Sequence, residues 1–381
     1  MSVGPHEIAM APLRGVTVAT FRRVFAARFR GVDWAMAPFI PLVSGRRVRP
    51  SVLADLDPGR SGPLPLVPQV IGRDPDALRV MLSALTDRGF RRVDLNAGCP
   101  WPFVVRKGRG AGLLADPDAL RRLLDAGCEL LPGGLSVKVR LGIERDDLLA
   151  QRLDLFNAYP LAGLTIHPRT ARQMYGGEVR LDVLEALLPA CRHAVTYSGD
   201  LRSPDDFARL RQRFPSIRSW MIGRGLVADP FLAERLAGAE GPRDLRRLAD
   251  FVAAYAEASR EELHGPSSFL GRMKEFWSYL HRSLAGGDRL WKALRICRTV
   301  AEYQAAVSGV FDHLQWSDYR LRRVQELPED ESGVKPPPAV LTMAAVRGAA
   351  DPPVAEEAGI RCGRDGGPAV RRTEKGHSEN C

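Results

Sequence analysis

Eight times between residues 6 and 240 a short apolar run is followed by an amphipathic helical pattern, and this alternation constrains the fold more than any single motif. The runs are HEIAMAP (6–12), DWAMAPF (33–39), PLVPQVIG (65–72), RRVDLNAG (91–98), LSVKVRLG (135–142), LAGLTIHPR (161–169), HAVTYSGD (193–200) and SWMIGRG (219–225). The helices between them carry start signals: PDALRVMLSALTDRG and PDALRRLLDAG open on Pro-Asp, and SPDDFARLRQRF has Ser203 as N-cap and Pro204 at the first helical position. The second crossover is predicted as a helix around Val52–Leu56. Strands joined by helical crossovers also make open doubly wound sheets, but eight units in about 235 residues match an α/β architecture of the (β/α)8 TIM-barrel type more closely.

Beyond Gly241 the strand pattern stops, and Leu245 to about Val324 reads as helices, including FLGRMKEFWSYLHRSL and RLWKALRICRTVAEYQAAV. The predicted organisation is a catalytic barrel over 1–240, a smaller all-helical C-terminal domain over 241–327, and a tail over 328–381. The tail, with Pro336-Pro337-Pro338 and mixed charges, lacks the periodicity to bury a core and is predicted to be disordered. No stretch approaches the roughly 20 apolar residues of a membrane span, and Met1–Pro5 lack signal-peptide features, which predicts a cytoplasmic protein. The six cysteines are scattered without metal or disulfide spacing, so reduced thiols are expected; Cys128, Cys191 and Cys297 read as packing residues. The chain carries a net charge of +10, all of it before Pro328, because the residues from there on hold 7 basic and 9 acidic side chains. Such a body suits either a polyanionic partner or solubility.

In a barrel, chemistry gathers where strands end. Gly199 and Gly223, after the seventh and eighth runs, stand where such barrels grip a phosphate through backbone N–H groups, with turn glycines as the plainer alternative. Lys138 sits between Val137 and Val139, so pleating turns it inward, where a cation needs an anion or a polar cavity. Gln69 is placed similarly, and His167 and Arg169 share a face. There is no G-x-G-x-x-G or P-loop pattern, which disfavours a Rossmann domain. A phosphate grip at runs seven and eight, a lysine on run five and a glutamine on run three make the layout of an FMN site, with the lysine facing the flavin edge where negative charge collects on reduction.

These residues resemble the tRNA-dihydrouridine synthases over roughly residues 8 to 300, through MAPLRGVT, PQVIG, VDLNAGCPWP…VVRKGRGAGLL, VKVRLG, LTIHPRTARQMYGG, SGDLRSPDD and GRGLVADPF. LGRMKEFWSYL looks like the branch acting on position 16 of the tRNA D-loop. The resemblance implies reduction of a uridine by FMN, with NADPH as reductant and tRNA as partner. It makes Cys99 of the Gly-Cys-Pro corner the general acid that protonates C5 while hydride reaches C6; a thiol with pKa of about 8.5 is protonated at neutral pH yet able to release its proton. It assigns FMN contacts to the backbone at Ala11, Pro12 and Leu13, to Gln69, Lys138 and His167, to Ser198, Gly199 and Asp200, and to Gly223 and Arg224; Asn96 and Arg169 would lie beside the uracil. The sequence departs from the family pattern at Ser198, usually Asn; at Leu13-Arg14, commonly Met-Glu or Met-Ala; and at Val18, commonly Asp.

Three basic clusters fit an RNA on the catalytic face: Arg46, Arg47 and Arg49; Arg106, Lys107 and Arg109; and Arg272, Lys274 and the cations that follow to Arg298. Phosphate contacts there would position the RNA while the uridine is extruded. A silent tRNA-binding paralogue, or an FMN barrel reducing a small enone or pyrimidine, are the alternatives. No obligate protein partner and no metal site are evident in the sequence.

Overall fold

Alternation along the strands decides which side chains face the helices and which face the barrel axis. The computed structural model describes residues 6–317 except 44, 46, 240, 313 and 314, and gives no side-chain detail at 312; the predicted tail lies outside the described residues. Eight parallel strands form among them: β1 (Glu7–Met10), β2 (Trp34–Met36, resuming at Ile40–Pro41), β3 (Leu66–Val67 and Gln69–Ile71, split by Pro68), β4 (Val93–Ala97), β5 (Leu135–Gly142), β6 (Gly163–Thr170), β7 (Val195–Tyr197) and β8 (Ser219–Ile222). Each pairs with the next, β8 pairs with β1 from Glu7 opposite Ser219 to Met10 opposite Ile222, and β2 meets β3 through Ala35 opposite Leu66 and Ile40 opposite Val70. The sheet therefore closes on itself, as the eightfold alternation predicts.

Val93, Leu95, Ala97, Val137, Val139, Leu164 and Ile166 are buried in one continuous core with the surrounding helices. The positions between them, Asp94, Asn96, Ser136, Lys138, Arg140, Thr165, His167 and Arg169, face the axis. The rest of the interior is filled by Ala9, Ala11, Met36 and Met221, with Trp34 against them. One side of the axis is therefore apolar and small, the other polar and charged.

Helix α1 (Ala19–Ala26) follows β1, and the predicted second helix is instead a 3-10 stretch, Pro50–Leu56. Its place is set by ion pairing: Arg22, fully buried, donates to Asp55 Oδ2 at 3.0 Å, to Ser61 Oγ at 2.9 Å and to the Thr17 carbonyl at 2.7 Å. Val18, the N-cap of α1, has no side-chain oxygen to offer, and Asp55 Oδ1 accepts from Ala19 N–H at 2.6 Å instead. This segment carries no helical periodicity because polar anchors hold it.

The other crossovers include α2 (Pro75–Thr86), α3 (Pro117–Leu130), α4 (Leu148–Asn157), α5 (Leu181–Leu187), α6 (Pro204–Arg213) and the short α7 (Arg224–Ala228). Asp74, Asp116 and Ser203 cap α2, α3 and α6, each before a Pro at the first turn. After Gly241 come α8 (Leu245–Glu262), α9 (Pro266–Leu280), α10 (Gly287–Ile296) and α11 (Val300–Val307). A small antiparallel pairing, Leu284–Ala285 with Gln315–Trp316, is a strand element the sequence pattern did not reveal there.

The helical region meets the barrel through an aromatic cluster. Phe251 of α8 touches Phe21 (5.8 Å between centroids), Phe25 (6.2 Å) and Phe29 (5.1 Å) of the α1 segment, and Phe276 (6.0 Å) of α9. Rings at edge-to-face angles pack closely and gain from quadrupole alignment. Phe251→Ala is expected to lower unfolding stability by about 3–5 kcal/mol in denaturant titration, and a loss under about 1 kcal/mol would contradict the role of this joint.

Candidate active site

At the end of β4 the chain turns through Gly98, Cys99 and Pro100, and the turn is held by one side chain. Asn96 Oδ1 accepts from Gly98 N–H at 3.1 Å and from Cys99 N–H at 2.8 Å. Asn96 Nδ2 donates to Gln69 Oε1 at 2.9 Å, and Gln69 Nε2 donates to Asp94 Oδ2 at 2.7 Å and lies 3.0 Å from Met36 Sδ. Asp94 Oδ1 accepts from Ser136 Oγ at 2.8 Å. These bonds join β3, β4 and β5, where Gln69 stands opposite Asp94 and Asp94 opposite Ser136. Burial pushes the Asp94 carboxyl up to about 7, against the opposing hydrogen bonds from Gln69 and Ser136 and the nearby Lys138 and Arg92 charges.

Cys99 is buried, packed with Ile71 and Val104 and against Phe39, Trp101 and Phe103. Its carbonyl accepts from Ala111 N–H at 3.1 Å, and Gly110, at φ +57°, lies so close that a Cβ there would come within 2.7 Å of Cys99 Cβ. Arg140 closes the other side, donating to the Gly98 carbonyl at 3.1 Å and the Thr170 carbonyl at 2.8 Å. Burial pushes the Cys99 thiol up, which keeps it protonated at neutral pH; the Trp101 backbone and the Arg140 and Arg14 charges pull the other way and favour the thiolate once the proton leaves.

Lys138 faces inward as predicted from its neighbours, and its Nζ donates to Ser198 Oγ across the interior at 3.2 Å. Its ammonium is pushed down to about 8, first by burial and then by Arg140, with Asp94 opposing. His167 is held well below its ordinary value by burial and by Arg140, Lys138, Arg169 and Arg224, so it is neutral. Its Nε2 lies 3.2 Å from Arg169 Nη1, and because a guanidinium only donates, Nε2 is the acceptor and the ring proton is on Nδ1.

Arg169 and Asp200 form the firmest ion pair of the site. Arg169 reaches Asp200 Oδ2 at 2.6 Å and Oδ1 at 3.1 Å, and also donates to the carbonyls of Gly176 (3.0 Å) and Gly177 (2.7 Å). Arg224 (2.7 Å) and Arg202 (2.5 Å) complete the shell of Asp200. Burial alone would raise the Asp200 carboxyl, but Arg169, Arg224 and Arg202 outweigh it and hold it below the usual range. The Asp200 carboxylate is thus turned to guanidiniums, and Arg169 is anchored within the wall beneath the 171–177 loop.

Ala11, Pro12 and Leu13 leave β1 in a loop pinned by Thr17, whose hydroxyl donates to the Ala11 carbonyl at 2.9 Å and accepts from Leu13 N–H at 2.8 Å. Gly223 lies against it: a Cβ at 223 would stand 3.2 Å from Ala11 Cβ and 3.3 Å from Leu13 Cδ2. Gly199 leaves no room either, since a Cβ there would fall 2.2 Å from Tyr197 Oη.

Of the basic clusters, Arg47, Arg106 and Lys107 are exposed, and Arg46 lies outside the described residues. Arg272 and Lys274 do not project freely: Arg272 pairs with Glu262 at 2.5 Å, and Lys274 Nζ caps the C-terminal end of α10 through the Cys297 carbonyl at 2.6 Å. Cys128, Cys191 and Cys297 pack against the main core, while Cys362 and Cys381 lie outside the described residues.

Sequence reading passed over Asp94, whose alternation between Val93 and Leu95 was the available signal. It also passed over Tyr175, which lies under the Arg140 (5.3 Å) and Arg224 (5.4 Å) guanidiniums and follows Met174 at φ +50°. Arg14, 5.6 Å over the Phe39 ring, was singled out only as a departure.

A model of the family described as dihydrouridine synthase (Dus) matches residues 9–303. A tRNA-dihydrouridine(16) synthase of Ralstonia nicotianae is 29% identical over 322 residues, covering 81% of this chain and 95% of that one. A tRNA-dihydrouridine(16) synthase of Cupriavidus necator is 28% identical, covering 80% and 97%. Among solved structures, morphinone reductase aligns over 65% of this chain and 94% of that one, at 13% identity and a TM-score of 0.45. With its family match running from β1 into α11, the chain belongs to the dihydrouridine synthase family.

Proposed function

We propose that this protein reduces the C5=C6 bond of a uridine in the D-loop of tRNA to 5,6-dihydrouridine, with FMN as cofactor and NADPH as reductant, in the cytoplasm. The observation that carries the reading is the Cys99 thiol, fixed at a strand end by its own backbone bonds to Asn96 and kept protonated by burial. The relatives named for position 16 support the same site in tRNA as the substrate.

The inner wall fits FMN. Ala11 and Gly223 leave a smooth, small-residue face, while Lys138, Arg140, Arg169 and Arg224 set a positive field around His167 that favours an anionic ring edge and a phosphate. Lys138, Gln69 and His167 would hold the ring, and the backbone at Ser198–Asp200 and Gly223–Arg224 the phosphate. Bound FMN, reduced by NADPH, supplies the hydride that the uracil takes at C6.

The chain's own residues do the rest. Cys99 gives its proton to C5, so hydride and proton together saturate the double bond, and the Arg140 and Arg14 charges stabilise the thiolate until solvent restores the proton. Asn96 orients the thiol and stands beside the base. Exposed Arg47, Arg106 and Lys107 bind tRNA phosphates and help offset the few kcal/mol needed to extrude the uridine.

Cys99→Ala is expected to abolish dihydrouridine formation, scored by mass spectrometry of tRNA, while flavin binding followed by absorbance is retained; equal activity in the variant would remove Cys99 from this role. FMN affinity is expected to fall as pH rises through about 8, where Lys138 loses its charge. A phosphate group has its second pKa at about 6, below that window. Lys138→Met should bind FMN more weakly at pH 7 and show no such fall, and a fall persisting in the variant would assign it to another group. Purified protein that never takes up flavin yet retards tRNA in gels would overturn the enzymatic reading.

A further inference from the structure

The hydrogen bonds from Asp94 to Cys99 have a direction, and only one is possible. Backbone N–H groups donate, so the Asn96 atom facing Gly98 and Cys99 must be its oxygen. Asn96 Nδ2 then faces Gln69, so Gln69 presents Oε1 to it and Nε2 to Asp94. Asp94, with Ser136 on its other oxygen, is the acceptor at the far end. Counting atoms, both lone pairs of Asn96 Oδ1 are used. Of the two Nδ2 protons one goes to Gln69, and the second has no partner among the described residues.

We propose that Asp94 is a positioning residue. The Gly98 and Cys99 N–H groups set the direction of the amide relay and Asp94, by accepting from Gln69, anchors its far end, so that Asn96 keeps its oxygen on the corner and the site beside Cys99 offers a hydrogen-bond donor, suited to a pyrimidine carbonyl and unsuited to a pyrimidine amino group. Without that acceptor the Gln69 N–H is left unpaired in a buried place, Gln69 shifts to pair it elsewhere, and Asn96, no longer held at Nδ2, loosens from the Gly98 and Cys99 N–H groups. The selection of a uracil rests on the function proposed above, whereas the relay and its direction do not.

The test is hydrogen–deuterium exchange of the full chain, read by mass spectrometry at the Gly98 and Cys99 amides against the 219–222 strand as internal control. Asp94→Leu should speed exchange at the corner about tenfold or more and leave the control strand unchanged. Asp94→Asn should keep protection, since its amide oxygen still accepts from Gln69 while its nitrogen donates to Ser136. Adding Gln69→Glu to Asp94→Leu should restore protection, because a carboxylate accepts from Asn96 Nδ2 and carries no N–H that needs the lost acceptor. Asp94→Ala, alone and with Gln69→Glu, serves in place of Asp94→Leu if that variant does not fold. Unchanged protection in Asp94→Leu, loss in Asp94→Asn equal to that in Asp94→Leu, or loss spreading equally through the control strand would each overturn the proposal. In parallel, uridine reduction by Asp94→Leu should fall at least about tenfold. A wild-type protein inactive on tRNA, with the exchange pattern intact, would sink the function and leave the relay standing.

Discussion

An ionisable side chain on the inner face of a closed barrel cannot reach bulk water except through the mouth, so each one needs a partner in place. Everything that distinguishes this site follows from that demand. The interior holds Asp94, Lys138, Arg140, His167 and Arg169 on three adjacent strands, and each is answered: Asp94 by Gln69 and Ser136, Lys138 by Ser198, Arg140 by two carbonyls, His167 by Arg169, and Arg169 by Asp200. A network satisfied in this way is rigid, and rigidity keeps the Cys99 thiol at a set height and angle.

The same demand explains the electrostatics. Three guanidiniums around the single carboxylate of Asp200 leave that corner positive, and Lys138 and Arg140 extend the positive side of the cavity. His167 stays neutral in that field and accepts from Arg169. The wall built from Ala11 and Gly223 carries no charge and little bulk. A flat anionic group has one surface to lie on and one to be held by.

Much of this was legible in the sequence, because strand parity is a local signal. Val137 and Val139 turn Lys138 inward, and the eight alternating runs announce a barrel. The second crossover was not legible as it stands: Asp55 holds it by reaching Arg22 and the first turn of α1, thirty-odd positions away, which no periodicity records. That reach also makes good the missing oxygen of Val18, one of the departures from the family pattern. Arg272 and Lys274 read as RNA contacts from charge alone, but helix ends and acidic neighbours claim them. Asp200 reads as part of a phosphate grip from its place after β7, yet its carboxylate is bound by arginines from β6, the loop after β7 and α7, a convergence visible only in three dimensions.

The account turns on a proton that travels from a sulfur to a carbon across a base. Running the reaction on tRNA in heavy water with deuterated NADPH, so that both new hydrogens carry label, and locating the deuterium in the isolated dihydrouridine by NMR, tests this directly. The expected product has deuterium at C5 and at C6 on opposite faces of the ring. Protium at C5, or both deuterons on one face, would contradict the transfer from Cys99.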